Sequence, residues 1–224
     1  MHVHGGEQRT SKVLRVSLCV TAAYIVLLVV AGVRAHSLAL LSEAGHNLAD
    51  FVALLLSLVA VYLHSRPPNA THTYGYHRAG VLAALVNSAT LVILSFLIFY
   101  EAFRRFQQPR PVHAETMMWV AAAGVLMNGV IALMLFRTDR DVNIRSALLH
   151  EIGDTLSTAA VIAGGWAILI TGQTWIDSAL SIGIGALILW SSFGILRETL
   201  NILLEGTPRG VKLSKVEAAI REVG

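Results

Sequence analysis

Two five-residue stretches of this chain carry the residue types of a metal site at a spacing that can use them. They are His46-Asn47-Leu48-Ala49-Asp50 and His150-Glu151-Ile152-Gly153-Asp154, and both read His-x-x-x-Asp. On a helix, residues four apart lie on one face, with their side chains a turn apart. Each stretch therefore offers one imidazole and one carboxylate to the same neighbour. Together, two neutral imidazoles and two carboxylates make an N₂O₂ shell, which suits tetrahedral Zn²⁺. The carboxylates also offset the charge of a dehydrated ion. Thiolates are absent from the set, so binding is weaker than at a structural zinc site and release is easier. All four donors bind protons too, and a metal must displace those protons. A site that holds either metal or protons is the minimal machinery of an antiporter.

The elements that position these residues follow from composition. The 224 residues are 55% hydrophobic and 14% charged, with a mean hydropathy of +0.64. A soluble domain carries charge on about a quarter of its residues. Six apolar runs reach the roughly 20 residues that a helical crossing needs: Val13–Val33, Leu38–Leu63, Ala79–Phe103, Thr116–Phe136, Ala147–Ile170 and Ile176–Leu196. The first is too long for the apolar region of a signal peptide and is expected to be retained. Breakers separate the runs, among them Arg66-Pro67-Pro68-Asn69, Pro109-Arg110-Pro111 and Thr171-Gly172-Gln173. The single cysteine, Cys19, allows no disulfide within one chain. The predicted fold is an all-α membrane protein with six transmembrane helices. Residues 1–12 form a histidine-containing N-terminal arm, 13–204 the six-helix transport domain and 205–224 a short tail.

Basic residues set the expected orientation. With both termini cytoplasmic, the N-terminal arm, the second and fourth connections and the tail carry most of them, while Arg34, Arg104, Arg105 and Arg110 stand on the other side. That asymmetry follows the positive-inside rule, with Arg104 and Arg105 against it. The net charge of +3 is spread between apolar runs rather than gathered on one patch, so no nucleic-acid partner is expected. At about 1.5 Å per residue, Asp50 lies roughly 18 Å and Asp154 roughly 16 Å from the outer face of a core about 30 Å thick. The two helices run in opposite directions, as in an inverted pair of three-helix repeats with a midplane site. Ionisable groups at that depth cost several kcal/mol and mark function unless paired. The bland alternative makes His46 and His150 core histidines, with the aspartates bonded to Ser, Thr or Asn.

Other polar residues carry weaker signals. Glu151 follows His150 and makes His-Glu-x-x-Asp, near the zinc-hydrolase pattern His-Glu-x-x-His, but it projects about 100° away from His150 on a helix. Glu43, Asn87 and Asp177 are further polar residues in or near spans. Asn47 and Asn128 can line a pathway, although hydrogen bonds between helices are the favoured role. Five histidines, His2, His4, His64, His72 and His77, fall on the expected cytoplasmic side. Of these, His72 and His77 flank Tyr74-Gly75-Tyr76 and are candidates for capturing metal before entry; the alternative is that they are solvated loop residues. Gly164-Gly165, Gly183 and Gly185 fit close helix packing.

The residues so far resemble a known family, the cation diffusion facilitators, and within it the zinc-exporting group. The resemblance rests on Leu41-Ser42-Glu43-Ala44-Gly45-His46 through Asp50, Thr73-Tyr74-Gly75-Tyr76-His77-Arg78, His150-Glu151-Ile152-Gly153-Asp154, Trp175-Ile176-Asp177 and Leu203-Leu204-Glu205-Gly206, and it extends from Val13 to Pro208. It implies six helices, cytoplasmic termini, a homodimer and Zn²⁺/H⁺ antiport by alternating access. The family's transport site maps onto His46, Asp50, His150 and Asp154. Zn²⁺ is then transported substrate, with Cd²⁺, Co²⁺ or Ni²⁺ as secondary ions and protons as counter-ions. Members of the family typically continue into a cytoplasmic ferredoxin-like domain, and this chain is expected to lack most of it. Any dimer would then be held largely by membrane helices. The expectation is a transporter, not an enzyme, in the inner membrane of a bacterium. The alternatives are a metal-gated channel and an intramembrane metallohydrolase using Glu151.

Overall fold

In the computed structural model, residues 4–64, 66, 76, 78–136, 142–207, 216–217 and 220–221 are described. They form six long helices: α1 (His4–Arg34), α2 (Leu38–His64), α3 (Ala79–Gln107), α4 (Ala114–Phe136), α5 (Val142–Thr171) and α6 (Trp175–Leu203). No strand occurs among the described residues. Helix is the required conformation, because within lipid each backbone N–H and C=O must be satisfied inside its own segment. Five of the helices are long and apolar enough to cross a membrane; α1 adds a shorter apolar stretch, Leu18–Arg34. The helices overrun the apolar limits expected from sequence by up to two and a half turns, because charged ends such as Arg104-Arg105 and Arg197-Glu198 continue the helical ladder.

The turns stop where the sequence supplies a residue able to leave the helix. Gly172, at φ 68°, ends α5, and Glu205, at φ 56°, follows α6. His36, at φ 52°, makes the sharp reversal between α1 and α2. Ser37 then caps α2, its hydroxyl accepting the Leu40 N–H at 3.2 Å. The α1–α2, α3–α4 and α5–α6 connections lie at one end of the bundle, here the loop end. The start of α1, the ends of α2, α4 and α6 and the starts of α3 and α5 lie at the opposite end, here the termini end.

The helices sort into two sets. α4 packs along α5 and α3 along α6, while α2 joins the sets by touching α1, α3, α5 and α6. Glycines permit the closest approaches. A Cβ at Gly124 of α4 would fall 2.0 Å from the Tyr24 hydroxyl of α1, and one at Gly164 of α5 would fall 2.0 Å from Leu180 of α6. Gly165 and Gly185 lie in similarly tight contacts, whereas Gly183 has nothing within 4 Å, so close packing does not explain it. Polarity is arranged for lipid. Trp190, Trp119 and Leu126 point outward at 86%, 78% and 70% exposure, while Ser42, Ser88, Ser95, Ser181 and Thr158 are buried. Small hydroxyl residues inside and large apolar ones outside suit a bundle packed by helix contact in a lipid solvent.

A buried polar cluster locks the loop end. Asp177, fully buried at the start of α6, accepts hydrogen bonds from the Ser37 hydroxyl at 2.6 Å, Leu38 N–H at 2.7 Å and Ala39 N–H at 3.2 Å. It thus satisfies the free donors at the N-terminus of α2 from another helix. Arg105 of α3 lies 3.6 Å from the same carboxylate, 3.3 Å from Glu101, and donates to the His36 carbonyl at 2.5 Å. This accounts for one of the two arginines that run against the charge asymmetry: Arg105 is a packed structural residue. Arg104 stays exposed and pairs with Glu101 at 3.3 Å.

Candidate metal centre

His46 and Asp50 stand one turn apart on α2, and His150 and Asp154 one turn apart on α5. The crossing of these helices brings all four together. His46 Nε2 lies 3.6 Å from Asp50 Oδ2 and 3.3 Å from Asp154 Oδ1. His150 Nε2 lies 3.4 Å from Asp50 Oδ2 and 3.5 Å from Asp154 Oδ2. Each imidazole therefore meets both carboxylates, one on its own helix and one across the interface. The rings are 6.1 Å apart, nearly edge to face at 78°. His46, Asp50 and Asp154 each bring a donor within 4.8 Å of the others. His150 reaches both carboxylates from the open side, with 51% of its side chain exposed against 17% for His46. A tetrahedral ion with bonds of about 2.0–2.1 Å sets neighbouring donors about 3.3–3.4 Å apart. The observed nitrogen–oxygen separations are close to that edge length, with Asp154 meeting His46 through Oδ1 and His150 through Oδ2.

Behind the four lies a support that sequence reading did not assemble. Glu43, one turn before His46, is 1% exposed. Its carboxylate accepts the Thr158 hydroxyl at 2.7 Å and the Ser157 hydroxyl at 3.4 Å, both on α5. Thr158 also lies 2.8 Å from the Asp154 carbonyl. The sequence marks Glu43 only as a polar residue in a span and a member of the Leu41–His46 stretch. Its partners were not recoverable from spacing, because they belong to a helix more than a hundred residues away.

The centre opens to one side. A cavity of about 180 Å³ is lined by Thr21, Asn47, Asp50, Asn128, Glu151 and Asp154, with Leu18, Leu54 and Ile131 among its apolar walls. Leu18, Leu54, Asn128, Ile131 and Glu151 come from the termini-end halves of their helices, whereas Thr21, Asn47 and Asp50 stand near the helix middles. Towards the loop end, Leu28, Leu40, Met117, Ala121 and Val161 are all fully buried and close the path.

One expectation requires correction. Among the described residues neither Asn47 nor Asn128 donates to another helix: Asn47 donates to the Glu43 carbonyl of its own helix at 2.9 Å, and the buried amide nitrogen of Asn128 has no partner. Both line the cavity instead. Glu151, about 100° around the helix from His150, lines the same cavity as His150 and Asp154. His72 and His77, like His2, lie outside the described residues, and so do the side chains of His4 and His64.

A helical membrane bundle with paired acid–imidazole donors at a crossing of two inner helices, reached by a cavity from one end, defines an integral membrane protein of the ion-translocating kind. Residues 14–204 match the cation efflux transmembrane domain, and the chain belongs to that family. It is 42% identical to the zinc transporter ZitB of Pectobacterium atrosepticum over 213 residues, which cover 94% of this chain and 67% of that protein. ZitB of Escherichia coli is 39% identical over 216 residues, covering 96% and 69%. A cadmium, cobalt and zinc/H(+)-K(+) antiporter of Bacillus subtilis is 34% identical over 218 residues, covering 96% and 70%. These relatives are transporters rather than enzymes by name.

Proposed function

We propose that this chain exports Zn²⁺ from the bacterial cytoplasm across the inner membrane in exchange for protons, with His46, Asp50, His150 and Asp154 as the ion's four ligands. The observation that carries the reading is the closed ring of nitrogen–oxygen distances, 3.3 to 3.6 Å, formed by two imidazoles and two carboxylates inside a membrane bundle. That spacing fits one small tetrahedral cation. The names of the relatives support divalent metal as cargo, with cadmium and cobalt beside zinc. The antiporter name of the Bacillus subtilis relative supports a proton as counter-ion.

The mechanism follows from which end is open. With the termini cytoplasmic, as the basic residues favour, the cavity faces the cytoplasm and the packed layer of Leu28, Leu40, Met117 and Val161 seals the other side. Zn²⁺ enters past Asn47, Asn128 and Glu151, displaces protons and is held by α2 and α5. Since the ligands are divided between these helices, a tilt of α4 and α5 against α2 closes the inner cavity, opens the outer layer and loosens the tetrahedron. Protons entering from outside then occupy the released donors and reset the cycle. Capture of cytoplasmic metal by His72 and His77, and pairing with a second copy through membrane helices, belong to the same reading.

The test is Zn²⁺ uptake into sealed proteoliposomes under an imposed pH gradient, comparing the native chain with Asp50→Ala and Asp154→Ala. Uptake that follows the gradient and vanishes in both variants supports antiport at this site. Uptake indifferent to the gradient means a channel or uniporter. No uptake by folded protein removes transport by this chain.

A further inference from the structure

At the loop end, away from the intramembrane centre, His36 and His113 bring their imidazoles together. Their ring centroids are 6.3 Å apart, with the planes tilted by 30°. The pair at the intramembrane centre is separated by 6.1 Å. Two imidazoles sharing one ion place their centroids about 5–6 Å apart, given metal–nitrogen bonds of about 2.0–2.1 Å. Both residues are exposed, so small rotations of the rings close the remaining gap.

The backbone here does not need either side chain. His113 N–H donates to the Ala35 carbonyl at 2.9 Å, and Arg105 donates to the His36 carbonyl at 2.5 Å. Any residue supplies those main-chain groups. At position 36 a glycine would supply them with less strain, because φ is +52° and the left-handed region costs a residue with a Cβ about 1 kcal/mol or more. The imidazole stands directly beside a second imidazole on a separate segment. The clamp fixes their spacing: one hydrogen bond joins the α1–α2 turn to the start of α4, and Arg105 pins the turn to α3. The positive charge of Arg105 is opposed by Asp177 and Glu101, at 3.6 and 3.3 Å, so it offers little repulsion to a cation.

We propose that His36 and His113 form a second divalent-cation site, at the loop end, selective for ions that prefer imidazole, such as Zn²⁺, with water filling the remaining positions. Bound metal ties the α1–α2 turn to the N-terminus of α4. In the orientation proposed above, this site faces the compartment that receives the exported ion.

The experiment is a calorimetric titration of ZnCl₂ into the full chain in lipid nanodiscs, carried in the Asp50→Ala, Asp154→Ala background so that the intramembrane centre is silent whatever its role. His36→Gly, His113→Gln and the double variant are compared with that background. Each single substitution should remove one and the same equivalent of Zn²⁺, and the double substitution should remove no more than either alone. Thermal unfolding without zinc controls for folding, and His36→Gly should be at least as stable as its parent because it relieves the left-handed turn. Should the intramembrane substitutions prevent folding, the same comparison is made in the native background. Unchanged stoichiometry in the single variants overturns the proposal, as does loss of separate equivalents from the two positions, which would mean independent surface histidines.

Discussion

The Thr158 hydroxyl of α5 lies 2.7 Å from the Glu43 carboxylate of α2, one helical turn beyond the donors that the same two helices present to each other. The hydroxyl also touches the Asp154 carbonyl at 2.8 Å, so the fastening is continuous with the residue it steadies. Removing Glu43 takes the acceptor from the Ser157 hydroxyl and leaves Thr158 only the Asp154 carbonyl, a loss of about 1 kcal/mol. Glu43→Ala should lower thermal stability by that amount and weaken zinc binding, whereas Glu43→Gln, which keeps an acceptor oxygen, should recover most of both. The check is a melting curve and a zinc titration on each variant. Native affinity in a stably folded Glu43→Ala would mean that the contact only packs the helices.

The two histidines of the centre should not be equal. His46 is largely enclosed, while His150 stands half-exposed on the cavity wall. When a ligand facing water is removed, a water molecule can take its coordination position, as at the open position of catalytic zinc sites. Where solvent does not reach, the position stays empty. Loss of a ligand should cost at least the roughly tenfold to hundredfold seen for groups that only support ligands, and His46→Ala is expected to lose about tenfold more zinc affinity than His150→Ala. Equal losses would sink this asymmetry.

Much of this arrangement was legible before any coordinates, and the boundary has a physical cause. Helix period and apolar length are local, so the six helices and the facing of His46 with Asp50, and of His150 with Asp154, could be read from spacing. That the two pairs meet depends on how α2 crosses α5, which symmetry of motif and depth made reasonable. Contacts without a repeated signal were not legible. Glu43 with Thr158, and Asp177 with Arg105 and the start of α2, each join helices distant in sequence through single residues. Asn128 misled because a polar residue in a span has two common uses, and only packing decides between a helix contact and a cavity wall.

Asp177 is expected to be the most sensitive structural position at the loop end. Its carboxylate receives one hydroxyl and two backbone N–H groups and faces Arg105. Asp177→Ala strands all of these in a buried setting, and loss of one partner of a buried ion pair alone costs about 3–5 kcal/mol. Asp177→Asn keeps acceptor oxygen for the N-terminus of α2 but leaves Arg105 less well paired, so an intermediate loss is expected. Thermal unfolding in detergent or nanodiscs measures both. A melting temperature unchanged in Asp177→Ala would show that α2 does not depend on this cap.

Zinc binding at the centre should weaken as pH falls. Imidazoles and carboxylates coordinate only when deprotonated, so metal and protons compete for the same lone pairs. The sign is fixed by that competition: lowering pH favours the protonated, metal-free centre, and raising it favours the metal-bound one. Each proton displaced on binding contributes about a tenfold change in apparent affinity per pH unit while its group is titrating. The limiting slope therefore counts the protons released. Zinc titrations against a chromophoric chelator, from about pH 5.5 to about pH 8, should give a falling affinity towards acid. Repeating them in buffers of different ionisation enthalpy by calorimetry gives the proton count independently. Asp154→Asn should reduce the slope as well as the affinity, because it removes one group that both proton and metal can occupy. A flat profile in the native chain would mean that metal binds without displacing protons, and exchange of the two at this centre would then have no chemical basis.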